Sequence, residues 1–211
     1  MVPALAGACA GAPPAPALRA KSQVPSAGAS HFPDAAARRV RSRALDFPLE
    51  FGLPEKDSWH ISDGPTWLVA DHAESSSRLA LRTWRADRLV RRADCEAQAR
   101  LARPAIPAVH DEAVVERRAL AAPSGFDTEL IVGVEPSASG ISGYAIVIGS
   151  SVGRCYAAVF TTAVAGARAD EAVASRLGVM VDRVFGSVRV RSVDERAVRR
   201  RLQVVPHQSA R

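Results

Sequence analysis

The sequence predicts an α+β domain built on a largely antiparallel sheet of about seven strands, covered by two amphipathic helices. Three observations lead there. Strand-like runs come in groups instead of alternating singly with helices, which favours antiparallel pairing over βαβ crossovers. Two segments repeat apolar residues at helical spacing. Hydrophobic residues make up 47% of the 211, enough to form a core for one ordinary domain with tails.

Residues 1–45 form an Ala/Pro-rich lead; ten of the first thirty residues are Ala and five are Pro. Such composition lacks apolar periodicity and favours extended, solvated chain, with a short helix expected after Asp34. The domain itself is placed at 46–190. Strands are expected at Trp59–Ser62, Thr66–His72 and Ser77–Arg85, the first two separated by the Gly64-Pro65 turn signal. The third alternates, with Leu79, Leu81 and Thr83 on one face and Arg78, Ala80, Arg82 and Trp84 on the other.

A first helix follows from Asp87 to about Arg103, with Leu89, Val90, Ala93, Ala97 and Leu101 as its apolar stripe; Pro104 and Pro107 end it. Strands are then expected at Val114–Ala121 and Thr128–Glu135, with Ser137–Gly143 as a loop. Tyr144–Ile148 and Cys155–Val164 form a hairpin around Gly149–Gly153. A second helix starts at Asp170, where Val173, Leu177, Met180, Val181, Val184 and Val188 make its apolar face. Residues 191–211 are a basic tail in which Ser192 and Glu195 form a capping box for a short helix to about Leu202. Runs such as Tyr144–Ile148 are apolar on both faces, so the sheet is expected to be covered on both sides.

The net charge of +6 suggests nucleic acid until it is divided along the chain. Residues 1–45 carry six basic and one acidic residue, and residues 189–211 carry seven and two. Residues 46–188 carry 15 basic and 19 acidic residues, so the body is mildly acidic and the flanks are basic. A nucleic-acid-binding domain usually shows the reverse, so nucleic acid is not the expected partner. The Arg-rich flanks, Arg196–Arg201 above all, suit contact with an anionic membrane, with the solvated face of a short surface helix as the alternative. No apolar run approaches the ~18 residues of a membrane span.

The segment Phe51-Gly-Leu-Pro-Glu-Lys-Asp-Ser-Trp59, the grouped strands after it and the closing amphipathic helix resemble the PsbP-like α/β/α sandwich, a fold named for an extrinsic photosystem II protein. The resemblance covers roughly residues 47–188. It implies an accessory, binding or assembly role, since members of that fold are mostly non-enzymatic. It carries over no site residue, and the Ala/Pro lead and Arg-rich tail depart from its pattern.

Ala6-Gly-Ala-Cys9 has the look of a bacterial lipobox, with Leu5 one position further back than usual. A signal needs a basic start and an apolar segment of about 7–15 residues. Met1–Ala8 does not supply them, so lipidation of Cys9 implies a start further upstream. The plain alternative is an incidental Cys in an Ala-rich lead. Cys95 and Cys155 fall within the ordered body and fit one disulfide in an oxidising compartment. Cys95 lies ~160° around the helix from the apolar stripe, so a bond requires the polar face to meet the sheet. Two free thiols are the alternative.

Catalytic motifs are sparse. Asp71-His72 beside Ser75-Ser-Ser77 offers a base near hydroxyls. The Gly-x-Ser-x-Gly elbow is missing, and strand alternation sends adjacent side chains to opposite faces. The five histidines, His31, His60, His72, His110 and His207, show no ligand spacing, and Gly140–Gly153 lacks a Gly-Lys-Ser/Thr ending; no cofactor is expected. Arg78, Arg82 and Trp84 share a strand face and form a candidate partner surface, with snorkelling arginines over a second core layer as the alternative. The expectation is therefore a non-enzymatic exported bacterial protein of the envelope or periplasm, lipid-anchored through Cys9, whose domain binds or scaffolds an envelope partner. A small hydrolase using His72 with a nearby Ser is the second reading, and a cytosolic protein-binding module the third.

Overall fold

The computed structural model describes residue 32 and residues 36–191, apart from 88, 103–105 and 139. Cys9 and the helix expected over Ser192–Leu202 lie outside the described residues.

The chain runs β1 (Ala37–Ser42), β2 (Leu49–Pro54), β3 (His60–Asp63), β4 (Leu68–His72), β5 (Ser77–Arg85), α1 (Arg92–Ala102), β6 (Val114–Ala119), β7 (Asp127–Ser137), β8 (Gly140–Ser151), β9 (Arg154–Val164), α2 (Ala169–Val179) and β10 (Arg189–Val190). β3 to β9 form a seven-stranded sheet in the order β3-β4-β5-β9-β8-β7-β6. Every pairing is antiparallel. β1, β2 and β10 form a second, three-stranded sheet. The fold is thus the α+β class expected, with a small sheet added.

Both faces of the large sheet are covered. Leu68, Leu79, Leu81, Leu130, Val147 and Phe160 pack with α2 and with the inward residues Val40, Leu49, Phe51 and Leu53 of the small sheet. Trp67, Trp84, Ile131, Ile146, Ile148 and Val159 pack on the opposite face with Cys95 and Ala99 of α1. Central strands need apolar residues on both sides to do this, which is why β8 and β9 read as near-continuous apolar runs.

Three elements differ from the sequence expectation. β1 occupies 37–42, where the lead was to end in a short helix. Pairing with β2 and burial of Val40 at its centre favour the extended form. The Ser137–Gly143 loop contracts to a tight connection because β7 and β8 stay paired out to Ser137 opposite Gly140. α1 starts at Arg92, not Asp87: the Asp94 carboxylate accepts the Arg91 backbone N–H at 3.2 Å, half of a capping box.

α1 also turns a different side inward. Leu89 is 90% exposed and Leu101 84%, while Cys95 and Ala99 are fully buried. The Cys95–Cys155 disulfide, Cα atoms 5.6 Å apart, bonds this side of the helix to β9. α2 keeps its predicted face: Val173, Leu177, Met180, Val181, Val184 and Val188 are all buried. It continues as a π-type turn over Met180–Val184. At Gly143 of β8 an added Cβ would sit 2.5 Å from Val173 Cγ1, so glycine sets how closely α2 lies on the sheet.

Candidate functional site

Alternation along β4 separates Asp71 from His72. The Asp71 carboxylate accepts hydrogen bonds from Arg78 Nε at 2.5 Å and Nη2 at 3.2 Å on the exposed face. His72 points inward and is buried. Its Nδ1 accepts the Ser75 backbone N–H at 3.2 Å and lies 2.8 Å from Ser75 Oγ. The other ring nitrogen, Nε2, lies 3.8 Å from the Glu55 carboxylate.

The network runs deeper. Ser75 Oγ donates to Ser77 Oγ, and Ser77 Oγ donates to Thr162 Oγ1, each at 2.8 Å. Arg176 of α2 is fully buried and donates from Nη1 to the Ser75 carbonyl at 2.9 Å and to Thr162 Oγ1 at 3.1 Å. Burial pulls its guanidinium below the ordinary value. Phe32 and Trp59 close the cluster, with ring centres 5.7 and 5.0 Å from His72. Asp71, His72 and a serine therefore do not converge. What converges is a buried polar clamp that ties the turn after β4 to β9 and α2, with no wall open to a substrate among these side chains.

Of Arg78, Arg82 and Trp84, only Arg78 stands well out in solvent. Trp84 lies under α1, buried, and its Nε1 donates to Gln98 Oε1 at 2.7 Å. Arg82 spans the gap between rings, its guanidinium 4.4 Å from the Trp84 centre and 5.9 Å from that of Trp67. Burial lowers the Arg82 pKa, with Asp46 opposing the shift. Trp84 thus offers no open ring to a partner, because α1 covers it; the arrangement is a second core layer with an arginine at its edge.

A site that the sequence reading missed lies on the outer face of the small sheet. Register puts Arg39 and Arg41 of β1, Glu50 of β2 and Arg189 of β10 on one face, and Arg191 follows just beyond β10. Glu50 sits at the centre, 2.7 Å from Arg39 Nε, 2.8 Å from Arg41 Nε and 3.5 Å from Arg191 Nη2. Burial pushes its carboxyl up. The hydrogen bond from Arg41 and the charges of Arg39, Arg41 and Arg191 outweigh this and leave it below the usual carboxylate range. Two hollows flank it. One of about 670 Å³ is lined by Arg39, Glu50, Gly52, Ser124, Ser187 and Arg189 among others. The other, of about 80 Å³, includes Arg41, Arg43 and Arg191. The signal available in the sequence was Arg39-Val40-Arg41, alternating as a strand does; its basic partners lie at the other end of the chain.

Among the described residues, no three His, Cys, Asp or Glu side chains gather as a metal site, and no helix is long and apolar enough to cross a membrane. No family model matches the chain, and no curated protein does. A crystal structure of a protein from Bacteroides thetaiotaomicron VPI-5482 matches it at a TM-score of 0.41 and 10% identity, over 75% of this chain. The match takes in 50% of that chain, so the described likeness spans about half the length of the solved protein.

Proposed function

We propose that this is an extracytoplasmic bacterial protein, lipid-anchored through Cys9, whose domain binds or scaffolds an envelope partner and does not catalyse. The observation that carries the reading is the Cys95–Cys155 disulfide within the body of the domain. Such bonds persist in oxidising compartments and are rare where thiols are kept reduced. Burial of His72 and its separation from Asp71 supports binding over hydrolysis. The layering of α1, sheet and α2 supports the PsbP-like reading, and with it an accessory or assembly role.

The test is an address experiment in the native host. The gene is expressed with its upstream sequence and fused to a reporter active only outside the cytoplasm, alongside labelling with a fatty-acid analogue. We expect reporter activity and label lost on Cys9→Ala. An inactive reporter, with protein recovered from the cytosol, contradicts export; an active reporter without label contradicts the anchor alone. The hydrolase alternative predicts labelling of Ser75 by a serine-directed fluorophosphonate, and we expect none.

A further inference from the structure

The geometry points to the outer face of the small sheet as a docking surface for anionic lipid headgroups. Four arginines, Arg39, Arg41, Arg189 and Arg191, surround one carboxylate, Glu50, so the face keeps a net charge of +3. Glu50 is the sole acid among the described residues lining either hollow. It holds three of the guanidiniums as a fixed array and cannot neutralise them.

The array is shaped for many separate anions and not for one. Arg39 and Arg41 stand two residues apart along a strand, ~7 Å, and β1 and β10 flank β2 at ~10 Å across. The side chains of Arg39, Arg41 and Arg191 are 64%, 51% and 67% exposed, so the charges form an outward rim. A guanidinium presents a rigid fork of donors that suits phosphate oxygens. The outward residues Ala37 of β1 and Gly52 of β2 beside them are small and line the larger hollow.

Topology adds to this. The chain enters the small sheet at Ala37, opposite Pro54, and the basic C-terminal tail leaves it after Val190, opposite Leu49. Four of the six basic residues of 1–45, Arg38, Arg39, Arg41 and Arg43, lie in β1 or just after it, so the basic charge of that lead belongs largely to the small sheet itself. The body over 46–188 is net acidic, so this face is also the side that an anionic bilayer would select by orientation.

The proposal rests on the extracytoplasmic reading only for which membrane the face meets; its chemistry can be tested apart from cellular address. The full chain carrying Cys9→Ala, which removes any anchor, is titrated with phosphatidylcholine vesicles with and without phosphatidylglycerol. We expect binding that requires phosphatidylglycerol and weakens steeply with salt. Combining Arg39→Gln, Arg41→Gln, Arg189→Gln and Arg191→Gln with Glu50→Gln, which leaves no orphaned carboxylate, weakens it on the order of 100-fold. Glu50→Gln alone raises affinity by roughly fivefold, which a purely structural role for the cluster would not produce. Arg78→Gln with Arg168→Gln, removing arginines from other elements, leaves binding unchanged.

Three results overturn the proposal. Binding retained by the five-site variant assigns the contact to the flanks. Binding equal with and without phosphatidylglycerol removes the charge argument. Polyglutamate bound more tightly than the anionic vesicles assigns the face to an acidic protein. A thermal melt of each variant identifies any loss of binding due to unfolding; should the five-site variant melt early, charge reversal by Arg191→Glu alone, far out on the rim, takes its place with the same expected direction. Failure here leaves the disulfide-based address standing, and a cytosolic address leaves the vesicle result standing.

Discussion

α1 and α2 lie on opposite faces of one sheet and are each 11 residues long, yet they dock by different rules. α2 buries the stripe its sequence advertises, from Val173 to Val188. α1 leaves Leu101 in solvent, as the turn before it leaves Leu89, and buries Cys95 and Ala99. The difference teaches what apolar periodicity measures: the default face of a helix when burial alone decides. Within α1 the stripe offers one leucine and small alanines, a modest gain. Against it stand a covalent bond to β9, the Gln98–Trp84 hydrogen bond and close approach over Ala99. Together these outweigh the stripe.

The largest effect is expected from removing the disulfide. It closes a loop with a sequence separation of 60, and the chain-entropy relation puts its contribution at about 4 kcal/mol. Cys95→Ala with Cys155→Ala should lower the denaturation midpoint accordingly, and hydrogen exchange should rise most in α1. If α1 stayed as protected as α2, the bond would not be what holds its orientation.

Next comes Leu177→Ala in α2, expected to cost about 3 kcal/mol in urea denaturation by loss of buried area and formation of a cavity. Gly143→Ala tests the same contact from the sheet side. Its Cβ would meet Val173 Cγ1 at 2.5 Å and Leu177 Cδ1 at 3.0 Å, and overpacking of this kind costs about 1–3 kcal/mol. The smallest effect belongs to Leu101→Ala in α1, expected within about 0.5 kcal/mol because the side chain is already in water. A Leu101 cost as large as that of Leu177 would return α1 to its sequence-predicted face.

These contrasts also explain what could be read in the sequence. The seven strands and α2 were legible because each carries a local signal: alternation in β5, near-continuous apolar runs in β8 and β9, and helical spacing in α2. The small sheet was not. β10 is two residues long, β2 holds Gly52 and Pro54, and β1 carries arginines at three of six positions. None of the three signals a strand alone; they form one because β2 pairs with both neighbours. The arginine cluster was hidden for the same reason. Its charges were visible in both flanks, but their convergence on Glu50 depends on pairing between opposite ends of the chain. The opposite-face geometry of Asp71 and His72, by contrast, followed from strand alternation alone.

The contact between Cys95 and Cys155 underlies both the orientation of α1 and the proposed address, so its state in the cell is the most direct test. Intact cells of the native host are treated with a membrane-permeant alkylating agent before lysis, and the protein is digested and mapped by mass spectrometry without reductant. The account predicts a linked pair of peptides joining Cys95 to Cys155, which separates on reduction. Recovery of both cysteines as alkylated, unlinked peptides would contradict it.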